Sequence, residues 1–178
     1  MNKKSKLGRL TRISLCAAFM CVIAPLALPL SAIPLTFGTF CLYLIALSFC
    51  PFDAFLTVLV YVAVGALGLP VFSGFTGGAQ MLIGPTGGFL LAYPMTALLI
   101  SLLGNRKHTG NARRLFALFC GTVLLYACGM IGYLFVTDSP FDLSLFALFA
   151  PLFLSDFVKM TASLFVFLRL RPFLEKKC

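Results

Sequence analysis

Apolar runs of membrane-spanning length, punctuated by clusters of basic residues, decide what this chain can fold into. Crossing about 30 Å of hydrocarbon takes ~20 apolar residues in helical form. A water-soluble domain would have to hide such runs under a polar coat, and the material for one is missing. Of 178 residues, 61% are hydrophobic and 11% charged, against about 25% charged in a soluble domain. The surplus apolar surface is expected to face the lipid bilayer.

The punctuation sets the topology. Lys3, Lys4, Lys6, Arg9 and Arg12 open the chain; Arg106, Lys107, Arg113 and Arg114 share a central loop; Arg169, Arg171, Lys176 and Lys177 close it. Basic segments stay on the cytoplasmic side, so an even number of crossings must separate each cluster from the next. Four crossings and then two satisfy this, and the expected outer loop before the last helix carries only the acids Asp138 and Asp142. The expected fold is a single all-α membrane domain over 1–178. It is a bundle of six transmembrane helices at about 11–28, 37–49, 52–69, 86–103, 115–136 and 143–170, with both termini cytoplasmic. The opening segment resembles a cleavable signal, but Pro25 and Pro29 interrupt it, so it is read as a retained first helix. Asp53 is expected to cap the third helix. The seven cysteines form no CxxC pair and read as free thiols. Thirteen of the fourteen basic residues cluster between apolar runs, which argues against nucleic-acid binding.

Two features interrupt the apolar pattern. Between the third and fourth helices, residues 70–85 read PVFSGFTGGAQMLIGP, an outer loop rich in glycine yet still apolar. Irregular backbone at membrane depth is tolerated where protein buries it or where it lines a cavity, so this segment is expected to form a lid or cavity wall. Gly77 and Gly78 allow close backbone approach, and Gln80 is the loop's only side-chain amide. Gly65 and Gly68 are read as helix-packing positions.

The second feature is Asp156 with Lys159, inside the last apolar run. A charge at the bilayer centre costs roughly 2.5–3.5 kcal/mol on insertion scales. Three positions apart on a helix, the two share a face and can neutralise each other. An ion pair that merely fixes packing is one reading; the polar end of a ligand site is the favoured one, because intramembrane ionisable residues default to function. Small residues on the first helix, Ser14 with Ala18 and Ala17 with Cys21, fit either packing inside the bundle or docking to a partner. His108 reads as solvated in its basic loop. With no Walker A motif, metal-ligand cluster or nucleophile elbow, the sequence offers no cofactor, no metal site and no catalytic residue beyond an unsupported acid–base use of Asp156 and Lys159.

Ile33-Pro-Leu-Thr36, Gly65-Ala-Leu-Gly-Leu-Pro-Val-Phe72, Gly84-Pro-Thr-Gly-Gly88 and Ser155-Asp-Phe-Val-Lys159, in this order, resemble the BioY family, the biotin-binding membrane subunits (S components) of energy-coupling factor transporters. The resemblance implies a six-helix bundle in a bacterial plasma membrane with a cavity near its outer face. Biotin would be the ligand, Asp156 and Lys159 polar contacts, and the glycine-rich loop the closure. Thr36, Gly77, Gly78, Gln80 and Tyr93 are expected to add contacts. It also implies docking of the first helix, here through Ser14, Ala17, Ala18 and Cys21, on a transmembrane coupling subunit, with two ATPase subunits supplying energy. The same scaffold with another vitamin, thiamine or riboflavin, is the alternative.

Overall fold

The structure, a computed structural model, describes residues 3–28, 35–104, 110–137 and 143–174. Seven α-helices stand among them: α1 (Lys3–Ile23), α2 (Gly38–Ser48), α3 (Pro51–Ala66), α4 (Gln80–Ile83), α5 (Gly87–Gly104), α6 (Asn111–Thr137) and α7 (Leu143–Leu174). A two-residue antiparallel pair, β1 (Ala27–Leu28) with β2 (Leu35–Thr36), links α1 to α2. Most of the expected first outer loop, together with His108, Asp138 and Asp142, lies outside the described residues.

Helix bounds depart from the apolar spans in a consistent way. α1 begins at Lys3 rather than at 11, α6 at Asn111 rather than 115, and α7 runs past Arg169 and Arg171 to Leu174. Hydropathy marks the stretch that faces lipid, whereas helical hydrogen bonding continues through residues such as Lys and Arg, which are good helix formers. At its other end α1 stops at Ile23 instead of 28, because Pro25 follows and restricts the residue before it. Among the described residues three spans are long and apolar enough to cross a bilayer: Gly87–Gly104, Asn111–Thr137 and Ala150–Leu170. α2 and α3 are apolar but shorter, at 11 and 16 residues.

The eleven residues of α2 reach only about 17 Å. It is the core of the molecule: Thr39, Cys41, Leu42, Tyr43, Ile45, Ala46 and Leu47 are all buried, as expected of a helix that is apolar all round. α7 packs on one side of it and α5 on another, while α5 also lies along α6 and α3, and α1 lies along α3. The α5–α6 contact is close because glycines face each other. A Cβ on Gly88 would stand 2.6 Å from the Cys128 carbonyl oxygen and 3.0 Å from the Gly132 Cα.

At the end of the bundle holding the first basic cluster, Arg9 of α1 forms a salt bridge with Asp53 in the first turn of α3 and lies over the Phe52 ring. Asp53 is therefore not the cap expected of it. Cys50 takes the N-cap position without a side-chain hydrogen bond, and Asp53 sits inside the helix, where a negative charge still favours the N-terminus. Cys16, Cys21, Cys41, Cys120 and Cys128 are free thiols, but Cys50 is disulfide-bonded.

Candidate functional site

Three helices each bring a short polar seam to one place. On α2, Thr39 and Tyr43 are four residues apart; on α6, Thr122 and Tyr126 repeat that spacing; on α7, Asp156, Lys159 and Met160 follow one face. The seams interlock. Tyr43 and Thr122 hydroxyls pair at 2.8 Å, and Thr122 also contacts the Met160 sulfur at 3.4 Å. Above them, Asp156 Oδ1 accepts from Thr39 at 2.8 Å and from Lys159 Nζ at 2.8 Å, and Oδ2 accepts from the Tyr126 hydroxyl at 2.9 Å. Lys159 Nζ also donates to Thr39 Oγ1 at 3.1 Å. The ion pair is well buried, its side chains 11% and 4% exposed for Lys159 and Asp156.

The pair is not walled off. Asp156 and Lys159 line a cavity at the end of the bundle, bounded by Ala24 just past α1, the start of α2, the end of α3, the first turns of α5 and the middle of α6 and α7. The walls are aromatic: Tyr61 stacks on Tyr93 with centroids 6.5 Å apart and meets the Phe72 ring edge-on at 5.8 Å, and Phe89 meets Tyr126 edge-on at 5.7 Å. Gly38 supplies part of the floor, where the Tyr93 hydroxyl and Thr36 Oγ1 both crowd the space a side chain would fill.

The inventory of donors and acceptors tells what this site still wants. An ammonium has three N–H donors; two of those on Lys159 are used by Asp156 and Thr39 among the described residues. A carboxylate has about four lone-pair sites, and Asp156 fills three. One donor and one acceptor remain side by side against an apolar, aromatic cavity. That combination suits a neutral group carrying C=O and N–H together, on a largely apolar small molecule.

Residues 69–84 contribute Phe72, Ser73 and Met81 to the cavity lining. They are not free of helix, as the glycine content suggested, but hold a 3₁₀ turn at Ser73–Phe75 and the short α4. Phe72 N–H bonds the Thr76 carbonyl at 2.9 Å, Gly78 N–H bonds the Gly65 carbonyl at 2.8 Å, and Gly74 N–H bonds the Pro25 carbonyl at 2.9 Å. The buried Phe72 ring sits against Gly65, where a Cβ would fall 2.2 Å from it. Gly65 is thus a packing glycine for a loop side chain, whereas Gly68, at φ +104° with open space around it, is a turn residue and packs against nothing.

Of the residues singled out in the sequence, Asp156, Lys159, Thr36 and Tyr93 line the cavity. Gln80, Gly77 and Gly78 do not. Gln80 is exposed, and its Nε2 donates to the Gly77 carbonyl at 2.9 Å. Gly77 lies where a Cβ would strike the Leu69 carbonyl, and Gly78 has φ +104°; both shape the backbone of this segment. Thr39 and Tyr126 line the cavity as well; their signal in the sequence is the Thr-x-x-x-Tyr spacing that α2 and α6 share. The small residues of α1 divide: Ala17 is buried and Cys21 half-buried against the core, while Ser14 and Ala18 are exposed on a stripe with Leu7, Leu15 and Val22. Among the described residues no group of three or more His, Cys, Asp or Glu could hold a metal ion.

Residues 1–176 match the BioY family. The chain is 33% identical over 157 residues to the biotin transporter BioY2 of Lactococcus lactis, covering 88% of this chain and 86% of that one. It is 34% identical over 164 residues to the biotin transporter BioY of Thermotoga maritima, covering 92% and 95% respectively. In fold it matches the crystal structure of the S-component for biotin from an ECF-type ABC transporter, with a TM-score of 0.84, 21% identity and coverage of 97% and 95%.

Proposed function

The chain belongs to the BioY family, and from that premise we propose that it is the biotin-binding S component of an energy-coupling factor uptake system, a multi-pass membrane transporter subunit and not an enzyme. The observation that carries the reading is the buried Asp156–Lys159 pair, neutralised by Thr39 and Tyr126 yet left with one donor and one acceptor at the cavity wall. Biotin's urea ring offers a C=O to the lysine and an N–H to the carboxylate, and its bicyclic body and alkyl chain match the aromatic walls. The relatives' names favour biotin over thiamine or riboflavin.

Orientation follows from charge. The cavity lies beyond the C-terminal end of α1 and at the start of α5, whereas the described members of the basic clusters lie in the first half of α1, at the start of α6 and near the end of α7. With those clusters cytoplasmic, the cavity opens outward in the plasma membrane. α1, α2 and α3 complete a six-helix bundle with the three long spans, and both termini are cytoplasmic. Inward delivery then needs a transmembrane coupling subunit and two ATPase subunits, with the exposed Ser14–Ala18 stripe as the docking face and the lid folded over bound ligand.

The test is calorimetry on the purified chain in lipid nanodiscs. We expect saturable biotin heat at one site per chain, not displaced by thiamine or riboflavin, and weakened at least tenfold by Lys159→Ala. Folded wild-type protein that gave no biotin heat would falsify the reading.

A further inference from the structure

The lid carries one polar group with nothing to do. Ser73, in the 3₁₀ turn, lines the cavity. Its Oγ is buried and has no hydrogen-bond partner among the described residues. Every other polar side chain of the lid is used locally: Thr76 Oγ1 donates to the Ser73 carbonyl at 2.9 Å, and Gln80 Nε2 donates to the Gly77 carbonyl. A serine in a turn commonly bonds the nearby backbone; here Thr76 has taken that role and the serine hydroxyl is turned away from it. Buried hydroxyls without partners are rare because burial strips them of water. The turn that holds Ser73 is itself fixed, by the Phe72–Thr76 pairing on one side and by the bond from Gly74 N–H to the Pro25 carbonyl on the other.

We propose that Ser73 Oγ is the lid's ligand contact, donating a hydrogen bond to the carboxylate of the bound molecule. This deepens the biotin reading and rests on it. With the urea ring held by Asp156 and Lys159, the ligand's other polar end is its carboxylate, and Ser73 offers the cavity a buried hydroxyl that has no partner among the described residues. A hydroxyl donating to a carboxylate makes a charge-assisted bond, stronger than one between neutral groups. The consequence is that the lid recognises the acid form of the ligand, while the α7 pair recognises the ring.

The experiment compares wild type, Ser73→Ala and Ser73→Thr in nanodiscs, titrated with biotin and with biotin methyl ester, which keeps the ring and removes the charge. Ser73→Ala is expected to weaken biotin about tenfold and to leave the ester within twofold of wild type, with Ser73→Thr restoring most of the loss. Lys159→Ala weakens both ligands alike. Equal weakening of biotin and ester by Ser73→Ala would mean that the serine only supports the lid, and unchanged biotin affinity would mean that it does nothing; either result overturns the proposal. Absence of biotin binding by wild type would instead sink the underlying reading, and this proposal with it.

Discussion

Asp156 draws hydrogen bonds from three helices, through Thr39 of α2, Tyr126 of α6 and Lys159 of α7. Removing one member of a buried ion pair leaves the other charge stranded, at about 3–5 kcal/mol; removing both relieves that penalty. Lys159→Ala should therefore lower the unfolding temperature in detergent more than the Asp156→Ala/Lys159→Ala double variant does, and strictly additive losses would contradict this. Tyr126→Phe takes away one donor without leaving a cavity, so a loss of about 1–3 kcal/mol in stability is expected, read by the same thermal scan. At this scale the charged pair was legible because charges inside apolar runs are expensive. Thr39 and Tyr126 were not, because single hydroxyls are cheap in a membrane helix and carry no alarm. Gln80 is the opposite case: an amide in an apolar loop stands out in the sequence, and in the structure it donates to the Gly77 carbonyl.

Glycines decide how the elements meet. Gly88 faces backbone atoms of α6, which cannot rotate aside, so Gly88→Ala must push α5 and α6 apart, a destabilisation of about 1–3 kcal/mol. Gly8 has open space around it on α1, and Gly8→Ala should be neutral or stabilising by up to about 1 kcal/mol. Parallel thermal scans of the two variants test the contrast; similar shifts in both would show that helix propensity rather than contact governs these sites. Gly65→Ala should evict the Phe72 ring, leaving helix content by circular dichroism intact while biotin affinity falls at least tenfold. Sequence marked each of the long helices through its apolar stretch, but not their polar extensions, since hydropathy reports contact with lipid and not backbone hydrogen bonding. The helical turns inside residues 69–84 were hidden because glycine density argues for irregular backbone, whereas here Gly74 and Gly78 bend the chain so that the residues around them can coil.

For the whole molecule, the placement of the cavity opposite the basic clusters makes a topological prediction. A fluorescent protein fused after Cys178 should glow in cells, and alkaline phosphatase fused there should be inactive; active phosphatase would invert the orientation. The chain reconstituted alone in liposomes should bind biotin without accumulating it, and uptake should appear only with ATP and a coupling module. α1 is tied in its first half by Arg9 to Asp53 and, just past its C-terminal end, through the Pro25 carbonyl to the Gly74 N–H beside the cavity. A shift of this helix is therefore passed both to α3 and to the 3₁₀ turn beside the cavity. One rod thus joins the two levels of the bundle, and the cavity mouth keeps step with the helix that reaches the opposite end.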